Sequence, residues 1–284
     1  MKFFFAILLS IFLIACNAAT PAPTTTPNTS APTRSLAIVA HRGGAGLMPE
    51  NTLASFRNGI ALGADFIEMD VHLTKDGIPV VIHDPTLDRT TDGKGAVSSF
   101  ALAELQTFNA AAKFSGTTDK QVVPILAQVL ELAKPTSVKL EIEIKVDANG
   151  KRYPNIEQKV LNEIAARGML ERVKIMAFEF DTLKQIRALD PKVITVALMT
   201  TDYFRSHIGA SPAALIEELA PYSNAVGIDK NFLNAEWTQQ AHARNLTVGV
   251  WTVDSEADQQ KFIALGVDGI TTNRPDILKK LLGR

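Results

Sequence analysis

The chain of 284 residues holds a single cysteine, Cys16. An intrachain disulfide is therefore excluded, and so is a zinc-thiolate site anywhere in the domain that follows. No charge sign dominates, since 29 basic residues face 30 acidic ones for a net charge of −1. Neither nucleic acid nor anionic lipid is implied as an electrostatic partner, and nothing points to a protein partner. The apolar run over residues 3–15 is too short for a membrane span, which takes roughly 18 residues or more. A glycine-rich nucleotide fingerprint is missing too. The first strand candidate leads into His41-Arg42-Gly43-Gly44 instead.

What the N-terminus does have is Lys2 followed by that short apolar run, the pattern of a secretory signal. It ends in Leu13-Ile14-Ala15-Cys16, which resembles the bacterial lipobox. Residues 1–15 are thus expected to be a lipoprotein signal peptide, with Cys16 the lipidated residue. Residues 16–34 are rich in Thr and Pro and have little to bury, so they read as a disordered tether. One globular domain follows over 35–284. This organisation predicts an extracytoplasmic, membrane-anchored lipoprotein, periplasmic or on the outer surface.

From Leu36 onward, short β-branched runs alternate with helical patterns. The strand candidates are 36–40, 66–73, 138–145, 173–178, 193–198, 225–228, 247–252 and 269–271. Helical spacing covers 52–62, 126–133, 156–167, 182–189, 213–220, 235–244, 256–265 and 275–282. Eight strands, each followed by a helix, predict an α/β fold of the (β/α)8 TIM-barrel type. An open doubly wound sheet would alternate likewise, yet it normally uses fewer units and carries the missing fingerprint. The segment from about 84 to 123 breaks the rhythm. It reads as a small insertion after the second strand, with one helical turn near 101–106 and no core of its own.

Barrel strands are buried on both faces and should be continuously apolar. Two are not: Phe66-Ile67-Glu68-Met69-Asp70-Val71-His72 and Leu140-Glu141-Ile142-Glu143-Ile144-Lys145 alternate strictly. Side chains two apart share a face, about 7 Å from one another. With Ile67, Met69 and Val71 against the helices, Glu68 and Asp70 face the lumen, and the same parity turns Glu141, Glu143 and Lys145 inward. Carboxylates gathered in a dry lumen repel and lose solvation unless something positive compensates. A hard divalent cation does so, and oxygen ligands suit Mg²⁺ or Ca²⁺.

Active sites of such barrels lie at the C-terminal ends of the strands. The first strand delivers His41 and Arg42 there, the second Glu68 and Asp70, the third Glu143 and Lys145. The turn Lys75-Asp76-Gly77 and the return over 78–82 bring His83 back to the mouth. Imidazoles that move protons, an arginine that grips phosphate oxygens and a metal that neutralises charge suit a phosphorus ester.

These residues resemble the glycerophosphodiester phosphodiesterase family. The resemblance rests on His41-Arg42-Gly43 with Pro49-Glu50-Asn51-Thr52, on Glu68-Met69-Asp70-Val71 with Thr74-Lys75-Asp76-Gly77, and on His83-Asp84-Pro85 with Asp88-Arg89-Thr90-Thr91. It continues in Glu141-Ile142-Glu143-Ile144-Lys145, Trp251-Thr252-Val253, Gly266-Val267-Asp268-Gly269-Ile270 and Thr272-Asn273-Arg274-Pro275. It implies a (β/α)8 barrel that cleaves glycerophosphodiesters to glycerol 3-phosphate and an alcohol with one bound Ca²⁺ or Mg²⁺. By position, Glu68, Asp70 and Glu143 look like metal ligands, and His41 and His83 like the general acid–base pair. Arg42 and Lys145 look like phosphate contacts, Trp251 like a wall of the substrate pocket, and Glu50 like support near the first histidine. The chain departs from the family pattern at Ala177-Phe178 and at Val123-Pro124-Ile125-Leu126-Ala127, away from metal and histidines.

Water or the glycerol's own neighbouring hydroxyl can serve as nucleophile, and the residues alone leave both routes open. Two other readings use the same residues: a related phospholipase D-like barrel acting on lysophospholipids, and a non-catalytic lipoprotein that captures phosphodiesters. The remaining histidines have plain readings, His72 above the site and His207 and His242 solvated. Trp237 is expected to pack or to lie exposed at a helix start.

Overall fold

The computed structural model describes Met1, residues 35–116 and residues 119–284. The expected signal peptide beyond Met1, the expected lipidation site Cys16 and the expected tether lie outside the described residues. Ser35–Arg284 packs as one unit.

Its strands are β1 (Ala37–Ala40), β2 (Phe66–Leu73), β3 (Pro79–Val81), β4 (Lys139–Ile144), β5 (Val173–Ala177), β6 (Ile194–Met199), β7 (Ala225–Asp229), β8 (Thr247–Trp251) and β9 (Gly269–Thr272). All but β3 run parallel. Because β1 pairs with both β2 and β9, the eight parallel strands close into a ring. The helices are α1 (Leu53–Ala61), α2 (Leu102–Leu105), α3 (Leu126–Ala133), α4 (Ile156–Ala166), α5 (Phe180–Leu189), α6 (Thr201–Ser206), α7 (Pro212–Leu219), α8 (Ala235–His242), α9 (Glu256–Ala264) and α10 (Pro275–Leu281). The fold is the (β/α)8 barrel that the alternation predicts. Helix α6 escapes the pattern because six residues are too few to show a 3.6 period.

Local chemistry explains where the helices start. Thr52 and Ser55 cap α1 reciprocally, Ser211 caps α7 ahead of Pro212, and Asn234 and Ser255 accept the first N–H groups of α8 and α9. The main core lies between strands and helices and takes Ile67, Met69, Val71, Leu140, Ile142 and Ile144. The opposite parity faces the lumen, which is divided. Met176, Val196, Leu198 and Ala225, with Trp251 against them, make an apolar half, and β2 and β4 supply the charged half.

The strand β2 outruns the barrel wall, and β3 pairs antiparallel with its far end, Val71 opposite Val81 and Leu73 opposite Pro79. This is the return expected over 78–82. The insertion that follows has no core of its own but packs a small apolar cluster against the return. Leu87, Val97, Leu105, Ala110 and Val123 close over Val80 and Ile82 of the return. Their irregular spacing hides the cluster from any periodicity, and the hairpin supplies the second side of it.

Candidate active site

The site begins where β1 ends. His41, Arg42 and Gly43 form one tight turn, with Arg42 at φ 51°, Gly43 at φ 84° and Gly44 at φ 98°. A Cβ on Gly43 would stand 2.5 Å from Ser55 Oγ of α1, so glycine is required there for both backbone and space. The turn aims the Arg42 backbone N–H at Glu68 Oε2, 2.8 Å away, and sends both side chains over the barrel mouth.

Strands β2 and β4 run in register, Glu68 beside Glu141 and Asp70 beside Glu143. Glu68, Asp70 and Glu143 are buried, and one oxygen of each lies within 4.8 Å of the others. Burial and the neighbouring Asp70 and Glu143 carboxylates push Glu68 well above the usual range. Burial likewise raises Glu143 to about 7, with Lys145 opposing. Asp70 goes the other way: Lys145, His83 and Arg42 outweigh its burial and hold it low. Lys145 stands just past the end of β4, 2.6 Å from Glu143 and 3.4 Å from Asp70. The Lys145 ammonium and the Arg42 guanidinium together still leave three clustered carboxylates one positive charge short, so the donor set fits a hard divalent cation. Glu141 also faces inward, one layer below, and has a partner of its own. Lys174 of β5 pairs with it at 2.8 Å and lies over the Phe66 ring, which keeps Glu141 out of the cluster.

The two histidines flank this trio. His41 Nδ1 lies 2.7 Å from Asn273 Oδ1, and its Nε2 is 4.0 Å from Glu68 Oε2. Burial, reinforced by the Arg42 guanidinium, lowers the His41 pKa to about 4. His83 follows β3, and its Nδ1 lies 2.6 Å from Asp84 Oδ1. Burial lowers it too, helped by Lys145 and Arg42 and opposed by Asp70 and Asp84. Burial thus favours the neutral form of both imidazoles, and each has Nδ1 engaged, so Nε2 remains for chemistry.

Glu50 ties the two sides together. It accepts from Arg42 Nη1 at 2.9 Å and from Arg89 at 2.7 and 2.8 Å, while Arg89 also donates to Asp84. Arg42 Nε is buried without a hydrogen-bond partner, 3.5 Å from Asp70. A buried cationic donor in that state is set for an incoming anion.

Comparison with known proteins accords with this geometry. The family model described as the glycerophosphoryl diester phosphodiesterase family matches residues 41–277. A glycerophosphodiester phosphodiesterase of Caldanaerobacter subterraneus subsp. tengcongensis is 34% identical over 249 residues, 86% of this chain and 97% of that one. One from Bacillus altitudinis is 36% identical over 248 residues, again 86% of this chain and 97% of its own. The crystal structure of glycerophosphodiester phosphodiesterase from Agrobacterium tumefaciens superposes with a TM-score of 0.72 at 26% identity, covering 87% of this chain and all of that one. The chain belongs to the glycerophosphoryl diester phosphodiesterase family. It is an enzyme of that class.

The nine expected site positions among the described residues meet at the barrel mouth, Trp251 on the apolar side. Its indole packs edge-to-face on Phe178 at 5.4 Å between centroids, and its N–H is buried without a partner. Several functional side chains escape the sequence reading. Asn51 Nδ2 donates to Asp70 at 2.8 Å, Arg89 bridges Glu50 and Asp84, and Asn273 holds His41. All three stand inside motif stretches, so a signal exists, but a loop residue does not announce its partner. The other three histidines all have partners. His72 is fully buried, with Nδ1 on the Tyr153 hydroxyl at 2.9 Å and Nε2 on the His83 carbonyl at 3.0 Å. His242 is half-buried on Asp268 at 2.7 Å, and His207 is half-buried against Tyr203. Neither is simply solvated. Trp237 is buried and packs under Phe204.

Proposed function

We propose that this enzyme hydrolyses glycerophosphodiesters to glycerol 3-phosphate and an alcohol, with His41 and His83 carrying the protons and a divalent cation, Ca²⁺ or Mg²⁺, held by Glu68, Asp70 and Glu143. The observation that carries the reading is the buried carboxylate trio set between two imidazoles whose Nδ1 atoms are held and whose Nε2 atoms are unengaged. Arg42 and Lys145 bring the cationic donors that grip the phosphodiester oxygens. One imidazole takes the proton of the attacking hydroxyl as its oxygen bonds to phosphorus. The other, in its imidazolium form with a second proton on Nε2, gives that proton to the alkoxide oxygen as its bond to phosphorus breaks. The cation, when bound, supplies charge neutralisation for the phosphorane-like transition state. Phe178 and Trp251 offer an apolar wall for the non-ionic part of the substrate.

The test is release of glycerol 3-phosphate from several glycerophosphodiesters, with and without a chelator. Release that stops on chelation and returns with Ca²⁺ or Mg²⁺ is expected. No release from any of them sinks the substrate class, and activity indifferent to the chelator removes the cation.

The lipobox-like Leu13-Ile14-Ala15-Cys16 supports a lipid anchor, which would set the reaction at a membrane surface outside the cytoplasm. In a bacterial host the protein should then sediment with membranes, and Cys16→Ser should move it to the soluble fraction. Identical fractionation of the two chains would remove the anchor.

A further inference from the structure

We propose that Asp254 and Asn273 are positioning residues that lock His41 in its Nδ1–H tautomer and so reserve Nε2 for the reacting proton; the proposal rests on the proton-carrying role given to His41 above. The three residues follow β8, β9 and β1, which are neighbours in the ring. They lie up to 232 positions apart in sequence.

The hydrogen bonds determine the arrangement step by step. All three contacts of the Asp254 carboxylate bring it a donor. Asp254 Oδ1 receives the Asn273 backbone N–H at 2.7 Å, and Asp254 Oδ2 lies 2.8 Å from Asn273 Nδ2. Thr272 Oγ1 already accepts from Gln259 Nε2 at 3.2 Å and from the Arg274 backbone N–H at 2.9 Å. Its own proton therefore goes to Asp254 Oδ1, 3.2 Å away. With every contact of Asp254 an incoming donor, the Asn273 amide has one placement, nitrogen toward Asp254 and oxygen toward His41. The reverse placement would bring two acceptor oxygens together at the distance of a hydrogen bond. Asn273 Oδ1 is then an obligatory acceptor 2.7 Å from His41 Nδ1, which must carry the proton. Nε2 is left bare on the side of Glu68.

The contrast with His83 shows why an amide stands between. Asp84 contacts His83 directly and adds a full negative charge to that ring. Asn273 passes the orientation set by Asp254 to His41 without placing a carboxylate on it. One imidazole is held by charge and the other by a neutral relay, and both keep Nε2 free.

Asp254→Asn is a nearly isosteric test. The Asn273 N–H and the Thr272 hydroxyl keep an oxygen at the Oδ1 place, so the new amide nitrogen takes the Oδ2 place. Asn273 must turn over to accept from it, and it then shows its own NH₂ to His41 Nδ1. His41 is forced to the Nε2–H tautomer. kcat should fall on the order of 10²–10⁴-fold, the scale of a mis-tautomerised catalytic histidine, with KM nearly unchanged. Adding Asn273→Asp to Asp254→Asn restores an acceptor facing Nδ1 and should recover kcat to within about tenfold of the wild type. Nitrogen-15 NMR of labelled imidazoles reads the tautomer directly: Nδ1–H in the wild type, Nε2–H in the single variant, Nδ1–H again in the double. A wild-type spectrum with the proton on Nε2 overturns the lock without any variant, as does an Asp254→Asn chain whose His41 tautomer is unchanged. Inverted tautomer with undiminished turnover would instead overturn the proton role of His41.

Discussion

Alanine at His41 or at His83 should lower kcat by about 10²–10⁴-fold while the barrel still folds and the carboxylate trio still binds its cation. The side chains are 16% and 31% exposed and line the barrel mouth, outside the apolar core, so truncation should cost no more than about 1–3 kcal/mol of stability. Neither imidazole belongs to the trio, and the nearest approach is the 4.0 Å between His41 Nε2 and Glu68. Loss of rate with intact folding and cation binding is what proton carriers predict. A ligand or a core residue would lose binding or stability first. The two variants should differ in a second respect. Loss of the His83 ring frees Asp84 to pair with Arg89 alone, whereas loss of His41 leaves Asn273 Oδ1 unsatisfied. Circular dichroism melts, cation titration and turnover on one substrate check all of this together. Near-wild-type turnover in either alanine variant would remove that histidine from the reaction.

The strand alternation made the centre of this site legible. In a strand covered on both faces, a carboxylate at every second position has no ordinary explanation. Glu68, Asp70 and Glu143 could therefore be assigned to the lumen from parity alone, and register then brought Asp70 beside Glu143. The ring of supporting contacts was not legible. Asp254 with Asn273 and His41, Arg89 with Glu50, and Tyr153 with His72 join segments remote in sequence, and no spacing rule encodes which strand ends become neighbours. Glu141 shows the same limit from the other side. Parity turns it inward correctly, but only the fold reveals Lys174 as the charge that neutralises it. The insertion repeats the lesson for packing, because Leu87, Val97, Leu105 and Val123 form a core only once the β2–β3 hairpin lies beneath them.

Cation binding should weaken steeply as the pH falls below about 7, and the stabilisation it confers should fade with it. Glu143 is raised to about 7 by burial, and Glu68 is pushed the same way. At pH 8 Glu143 is ionised in the cation-free chain, so an incoming ion displaces no proton from it. At pH 5 it is protonated, and binding must release that proton first. Each pH unit below 7 therefore costs up to about tenfold in affinity for that one proton, and more where Glu68 must also ionise. Because an ion that binds only the folded chain stabilises it by about 2.7 kcal/mol at a hundredfold excess over Kd, the melting temperature carries the signal. With Ca²⁺ or Mg²⁺ at fixed concentration, the rise in Tm over a chelated sample should be large at pH 8 and nearly gone at pH 5. Asp70 is held low by Lys145, His83 and Arg42 despite its burial, so it stays ionised across this range and contributes no slope. Glu143→Gln removes the titrating carboxylate. It should abolish most of the Tm rise at pH 8 and cut turnover by at least about a hundredfold, a loss of nearly 3 kcal/mol in transition-state stabilisation. Lys145 loses its 2.6 Å partner in that variant but keeps Asp70 at 3.4 Å, so the fold should survive the change. A Tm rise equal at pH 5 and pH 8 would show that the cation does not bind through these carboxylates.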